Sequence, residues 1–214
     1  MNSISKILQE HYQNTYKQFG ANSKGVDWGD KEWAAFLRQN KMLDVIPQKS
    51  IKSSERLSLL DVGCGYGFLA EIIKDKGFNI NYTGIDVVPE MISDAQKRNP
   101  GFNFICGDFL DKKISNFDFV ICNGILTQKT NVSTLEMNKY CQDMIRKMFE
   151  LCNIGIAFNT MSTYVNFQKE NLFYKNPSEL MAWCMSEISS AIKIDCAYEL
   201  WYEYTVYIYK QDNV

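Results

Sequence analysis

Four polar residues, Asp61, Asp86, Asp108 and Asn123, each follow a short apolar run. Asp61 closes the run Leu57-Ser58-Leu59-Leu60, and Gly63, Gly65 and Gly67 follow at alternate positions with Cys64 and Tyr66 between them. Glycine in such a loop lets the backbone take φ > 0 and lets a ligand approach with no Cβ in the way. A helix opening behind the loop presents unpaired N–H groups and a partial positive charge, which suit a carboxylate or a phosphate. Asp61 discriminates between ligands, because a pyrophosphate is repelled by a neighbouring anion whereas a ligand bearing an ammonium group is held by one. Asp86 comes 21 residues after Gly65, where a carboxylate can accept from both hydroxyls of a ribose. Asp108, in Gly107-Asp108-Phe109, is placed to accept from an adenine amino group, and Asn123-Gly124 ends the fourth run.

The elements that must position these residues alternate between two periodicities. Strands are expected at 57–61, 80–86, 102–106, 117–123 and 154–159, and helices at 69–76, 90–98, 134–151 and 177–189. Gly77 suits the left-handed position after the first of these helices, and Pro89 suits the first turn of the next. Two β-rich runs, 192–198 and 199–209, are close enough to pair as a hairpin. Such alternation implies an α/β fold, a mostly parallel sheet with helices on both faces, and ligands at the carboxyl ends of its strands. Upstream, Ile4, Ile7, Leu8, Tyr12 and Tyr16 mark an amphipathic helix over 3–18. A glycine-punctuated loop from Phe19 to Gly29 follows. Asp30 is a candidate N-cap for a helix over 31–46, with Trp33, Phe36, Leu37 and Leu43 inward and Pro47 as its stop. Residues 48–56 read as a polar connection. The domain expectation is a helical cap, 1–56, on one domain, 57–214.

Composition narrows the function. The chain has 214 residues, a formal charge of −2, 46% hydrophobic and 22% charged residues, and no basic excess to favour nucleic acid or an anionic membrane. No apolar stretch approaches a bilayer span. The opening Met1-Asn2-Ser3-Ile4-Ser5-Lys6 leads into no long apolar core, so no secretory leader is expected. Seven widely spaced cysteines, none in a C-x-x-C pair, suit reduced thiols in the cytoplasm. No His, Cys and Asp cluster has metal-binding spacing, so no metal is expected.

The run Asp61-Val62-Gly63-Cys64-Gly65-Tyr66-Gly67 resembles motif I of the class I methyltransferases that use S-adenosylmethionine (SAM). With the later strand ends, residues 57–126 look like motifs I to IV of that family. The resemblance implies a Rossmann-like, seven-stranded, mostly parallel sheet with an antiparallel C-terminal strand and an N-terminal helical cap. By position it implies that the Gly63 and Gly65 backbone with Asp61 holds the methionine end. It places Asp86 on the ribose, Val87 against the adenine, Asp108 and the Phe109 backbone at the adenine edge, and Asn123 near the sulfonium, with Cys64, Met91 and Gly124 as further cofactor contacts. Phe19-Gly20 to Trp28-Gly29, Arg38, Ala157-Phe158-Asn159, Phe173-Tyr174 and Pro177 are similar to a subset of small methyltransferases found with bacterial surface-carbohydrate genes. There the region before motif I closes over the cofactor, which adds Tyr16, Trp28 and Arg38 as contacts. The resemblance implies methyl transfer to a small polar acceptor, O-methylation of a sugar or of a phosphorylated or nucleotide-linked sugar. A SAM-binding partner subunit without catalysis is a second reading. A nucleotide-dependent dehydrogenase is a third, disfavoured because the third glycine of G-x-G-x-x-G comes one residue early, at Gly67, and because no Tyr-x-x-x-Lys pair is present. For a general base, His11, the only histidine, and its neighbour Tyr12 are the candidates. Tyr16, Tyr164 and Tyr174 are further possibilities for the acceptor pocket.

Overall fold

A computed structural model describes residues 1–51, 55–200 and 202–211. Its centre is β1 (Leu57–Val62), which pairs in parallel with β2 (Ile80–Asp86) on one side and β4 (Phe117–Cys122) on the other. β3 (Asn103–Cys106) adds outside β2, and β5 (Cys152–Ser162) adds outside β4, both parallel. Because the chain winds outward from β1 in both directions, the connections that leave the carboxyl ends of β1 and β4 run to opposite faces of the sheet and leave a crevice at the switch point. β7 (Ile192–Asp195) and β8 (Glu203–Tyr209) form the expected C-terminal pair. β8 lies antiparallel between β5 and β7, giving the order β3-β2-β1-β4-β5-β8-β7. A two-residue strand that sequence did not suggest, β6 (Tyr174–Lys175), pairs with the end of β5 beyond the reach of β4.

Helices cover both faces, and strand alternation decides which side chains meet them. Leu57 and Leu59 enter a core with Leu69 and Ile73 of α4 (Phe68–Asp75), while Leu60 and Val62 enter another with Met144 and Met148 of α6 (Thr134–Leu151). α6 opens with a reciprocal capping box, Ser133 with Glu136. α5 (Pro89–Arg98) starts on the expected proline, and α7 (Pro177–Glu187) is capped by Asn176.

The N-terminal helices divide between the faces. α1 (Ser3–Phe19) packs Ile4 and Leu8 into the α6 side, and α2 (Glu32–Leu43) packs Met42 and Leu43 into the α4 side. α2 departs from expectation in two respects. Its cap position is Lys31, which has no side-chain oxygen to offer, so Asp30 caps nothing. Its inward face carries Ala34, Ala35 and Gln39, whereas Trp33 and Phe36 are 49% and 48% exposed. The aromatics turn outward beneath the ammonium groups of Lys31 and Lys76. The polar connection at 48–56 contains one helical turn, α3 (Gln48–Ile51), anchored by buried Ile51; residues 52–54 lie outside the described residues. Among the described residues, no helix is long and apolar enough to cross a membrane.

Candidate active site

The glycine loop is hung from β2. The Gly63 and Cys64 N–H groups donate to the Ile85 carbonyl at 2.8 and 3.2 Å. The Gly65 N–H donates to Asp86 Oδ2 and the Val88 N–H to Asp86 Oδ1, both at 2.9 Å. One carboxylate thus fixes the loop and the entry to α5 together, and burial raises its pKa against the lowering by those N–H donors. Gly63 has φ +78°, and a Cβ there would lie 2.5 Å from Ile125 Cδ1. Only glycine satisfies both the conformation and the space.

A cavity opens above these strand ends. Gly63, Cys64, Asp86 and Val87 form one wall with Met91, and Asp108, Phe109, Asn123, Gly124 and Trp28 form another. All ten were expected at the cofactor. α1 covers the cavity with Ser5, Leu8 and Tyr12, and its start is tied down by the Asn2 N–H donating to Asp108 Oδ2 at 2.9 Å. Gln9 Nε2 adds a second tie to the Val87 carbonyl at 2.6 Å. Asn123 donates to Gln39 Oε1 at 3.2 Å, while its own Oδ1 is buried without a partner. A buried acceptor left open costs about 1–3 kcal/mol unless a ligand donor meets it. The methionine ammonium of SAM is a donor of that kind, so the walls fit the cofactor.

Four expected cofactor residues do not line this cavity. Gly65 acts through its N–H on Asp86. Asp61 follows the alternation of Leu57 and Leu59 to the α4 side, where its carboxylate accepts from Tyr82 Oη at 2.7 Å. The apolar period of Leu57, Leu59, Leu60 and Val62 carried that signal. Burial pushes the Asp61 carboxyl up to about 7, with the Tyr82 hydrogen bond opposing and the Asp86 charge adding. Tyr16 donates to Asp94 Oδ2 at 2.7 Å and packs on Tyr66, Val88 and Met91, so it fixes α1 to α5. Arg38 lies elsewhere, as described below.

A family model described as a methyltransferase domain matches residues 53–210. The chain belongs to this methyltransferase family. Its methyl donor is S-adenosylmethionine, and the dehydrogenase reading falls with that membership. A protein of Mycobacterium tuberculosis named as a methyltransferase is 28% identical over 75% of this chain and 97% of that protein. The malonyl-[acyl-carrier protein] O-methyltransferase of Acetivibrio thermocellus is 33% identical over 56% of this chain and 39% of that protein. In structure, the chain is similar to magnesium protoporphyrin IX methyltransferase from Synechocystis PCC 6803 with bound SAM. The TM-score is 0.68 with 99% of both chains covered, and at 14% identity the likeness is one of fold.

The methyltransferase has a second cavity beside the first. Tyr12, Trp28 and Gly124 line both and form the partition between them. Its remaining walls come from Asp27, Arg38, Thr127, Gln128, Asn159, Met161, Leu172 and Glu203. Arg38 makes a forked ion pair with Glu203, its Nε at 3.0 and 2.9 Å from the two carboxylate oxygens, and its guanidinium stands 5.5 Å from the Trp28 ring. Asn159 donates to the same carboxylate at 3.2 Å and accepts the Gly124 N–H at 2.8 Å, which fixes the partition. Arg38 Nη1 is buried without a partner.

His11 lines neither cavity; its Nε2 lies 3.1 Å from Asp27 Oδ2 on the outer side. Burial, followed by the charges of Asp27 and Asp86, raises the Tyr12 phenol far above its ordinary pKa. Tyr12 therefore meets ligands as a hydroxyl and not as a phenolate base. Tyr164 is 70% exposed and Tyr174 lies in β6, and neither lines the second cavity. Gln128 and Glu203 were missed because nothing local marks them, and Asn159 was noted only in the run Ala157-Phe158-Asn159, with no role assigned. Asp27 was missed too, although it carried a hint as an acid beside Trp28 in a loop between glycines.

Proposed function

We propose that this methyltransferase transfers a methyl group from SAM to a small polar acceptor seated in the second cavity, most simply by O-methylation of a sugar derivative. The observation that carries the reading is the shared partition: Tyr12, Trp28 and Gly124 are the only residues common to the two linings. Asp86 takes the ribose hydroxyls, Asp108 and the Phe109 backbone take the adenine edge, and Val87 and Met91 flank the ring. Asn123 Oδ1 accepts from the methionine ammonium, and Arg38 holds Glu203 beside the partition. Asp61 supports the loop from beneath through Tyr82.

When bound, SAM supplies a methyl group made electrophilic by its sulfonium. What the chain contributes is alignment, which supplies effective molarities of order 10⁵–10⁸ M in favourable cases. Tyr12 and Trp28 exclude water from the passage and offer aromatic surface to the cation. The phosphorylated or nucleotide-linked sugar, the surface-carbohydrate setting and the division into a 1–56 cap and a 57–214 domain belong to this proposal. So does a cytoplasmic location, which the seven free cysteines support.

Calorimetry with S-adenosylhomocysteine (SAH) tests the donor assignment. Saturable heat is expected, reduced at least tenfold in affinity by Asp86→Ala; the absence of heat overturns the assignment. Release of SAH with a panel of sugar acceptors separates an enzyme from a silent binding subunit.

A further inference from the structure

We infer that Asp27 anchors the acceptor, and that the group it holds is a hydroxyl or an amine and not a carboxylate or a phosphate. This rests on the proposed function and narrows the acceptor class. The charges around the second cavity carry it. Glu203 is met by the Arg38 guanidinium and by Asn159, so both of its oxygens are occupied. Arg38 has only Nη1 left, buried. That leaves Asp27 as the carboxylate in the wall whose charge no Lys or Arg ion pair offsets.

Asp27 is held as a fixed ligand would be. Its Oδ2 faces His11 Nε2 at 3.1 Å and also accepts from Gln128 Nε2. Gln128 is held in turn, accepting from Asn171 Nδ2 at 3.2 Å, with its backbone bridged to Leu172. Two side chains from separate parts of the chain, one of them braced in turn by a third, thus orient one carboxylate, while its Oδ1 has no hydrogen-bond partner among the described residues. The side chain is 37% exposed and belongs to the lining of the second cavity. Its backbone sits at φ +60°, outside glycine, and is pinned by its own N–H to the Lys24 carbonyl at 3.0 Å and the Trp28 N–H to the Ser23 carbonyl at 2.8 Å. Strain kept at a ligand-facing position fits a site whose geometry matters more than its comfort.

The chemistry of such an anchor is selective. An oriented carboxylate oxygen accepts from a hydroxyl and more strongly from an ammonium group, whose hydrogen bond is charge-assisted. It repels an anion at the same place, which is discrimination by an unfavourable contact. Tyr12 stands between the two cavities with the Asp27 charge acting on its hydroxyl, so a group bound at Asp27 lies beside the partition.

The single histidine makes the test spectroscopic. Protein saturated with SAH is titrated with glucosamine, glucose, glucuronate and glucose 6-phosphate while the His11 ring resonance is followed by NMR. A saturable shift is expected with glucosamine, a weaker one with glucose, and affinities at least tenfold below that of glucosamine for the two anions. Asp27→Asn, which keeps the shape and tolerates positive φ, is expected to weaken glucosamine at least tenfold and leave the SAH isotherm unchanged. Equal affinity for the anions, an unaltered glucosamine titration in Asp27→Asn, or no shift with glucosamine would each overturn the inference. Failure of the wild-type protein to bind SAH would overturn the proposed function instead.

Discussion

The two cavities share a partition and are built in opposite ways. The first rests on main-chain N–H groups gathered by two acceptors: Gly63 and Cys64 on the Ile85 carbonyl, and Gly65 and Val88 on the single carboxylate of Asp86. The second rests on side chains that meet across long stretches of chain. Arg38 and Glu203 are 165 residues apart, Gln128 and Asp27 101 apart, and Asn159 and Glu203 44 apart. A frame of main-chain N–H groups tied to one carbonyl and one carboxylate depends on few side chains, Asp86 above all. A frame of side-chain pairs can be rewritten one substitution at a time, as a pocket that sets acceptor choice requires.

The largest effect is expected where the second frame is most buried. Arg38 and Glu203 have side chains 15% and 9% exposed, and Arg38→Met leaves the Glu203 charge without its cation. A stability loss of about 3–5 kcal/mol is expected from urea denaturation. A loss below about 1 kcal/mol would mean that the pair does not hold the second cavity together, and the contrast between the two frames would weaken.

Gly63→Ala attacks the first frame. Positive φ costs a non-glycine residue about 1–2 kcal/mol, and the new Cβ presses on Ile125. SAH affinity is expected to fall at least tenfold by calorimetry while the far-UV spectrum is unchanged. An unaltered isotherm would show that the loop adapts and that the backbone frame is less strict than described.

The smallest effect sharpens the base of that frame. Asp61 has its folded pKa raised to about 7, above the unfolded value of about 3.9. The folded state therefore holds a proton that the unfolded state has lost, and this contribution is complete below about pH 4 and disappears as pH rises through 7. Asp61→Asn removes that slope. Its urea midpoint relative to wild type is expected to rise between pH 5 and pH 8, and a constant difference would show that Asp61 is ionised in the fold. Asp86, also raised, keeps part of the slope in both proteins.

Local signals explain what could be read in advance. Pro89 at the first turn of α5, Gly77 after α4 and the 21-residue step from Gly65 to Asp86 each express a constraint that neighbouring residues impose. The misses have one cause. Trp33 and Phe36 looked inward because helical spacing says which residues share a face, not how closely that face approaches the sheet. The packed face carries Ala34, Ala35 and Gln39, and the aromatics lie outside it. β6 is too short for any period to show and exists because β5 extends to Ser162 and offers a free edge.

The order of strands and helices, the glycine loop and the polar residues at successive strand ends were determined by sequence alone, because backbone conformation and period-2 burial act over a few residues. The second cavity, the open Nη1 of Arg38 and the convergence of His11 and Gln128 on Asp27 were decided only by the folded chain. Those groups have no relation until the sheet sets the distances between them, and charge and hydrogen bonding act through space and not along the chain.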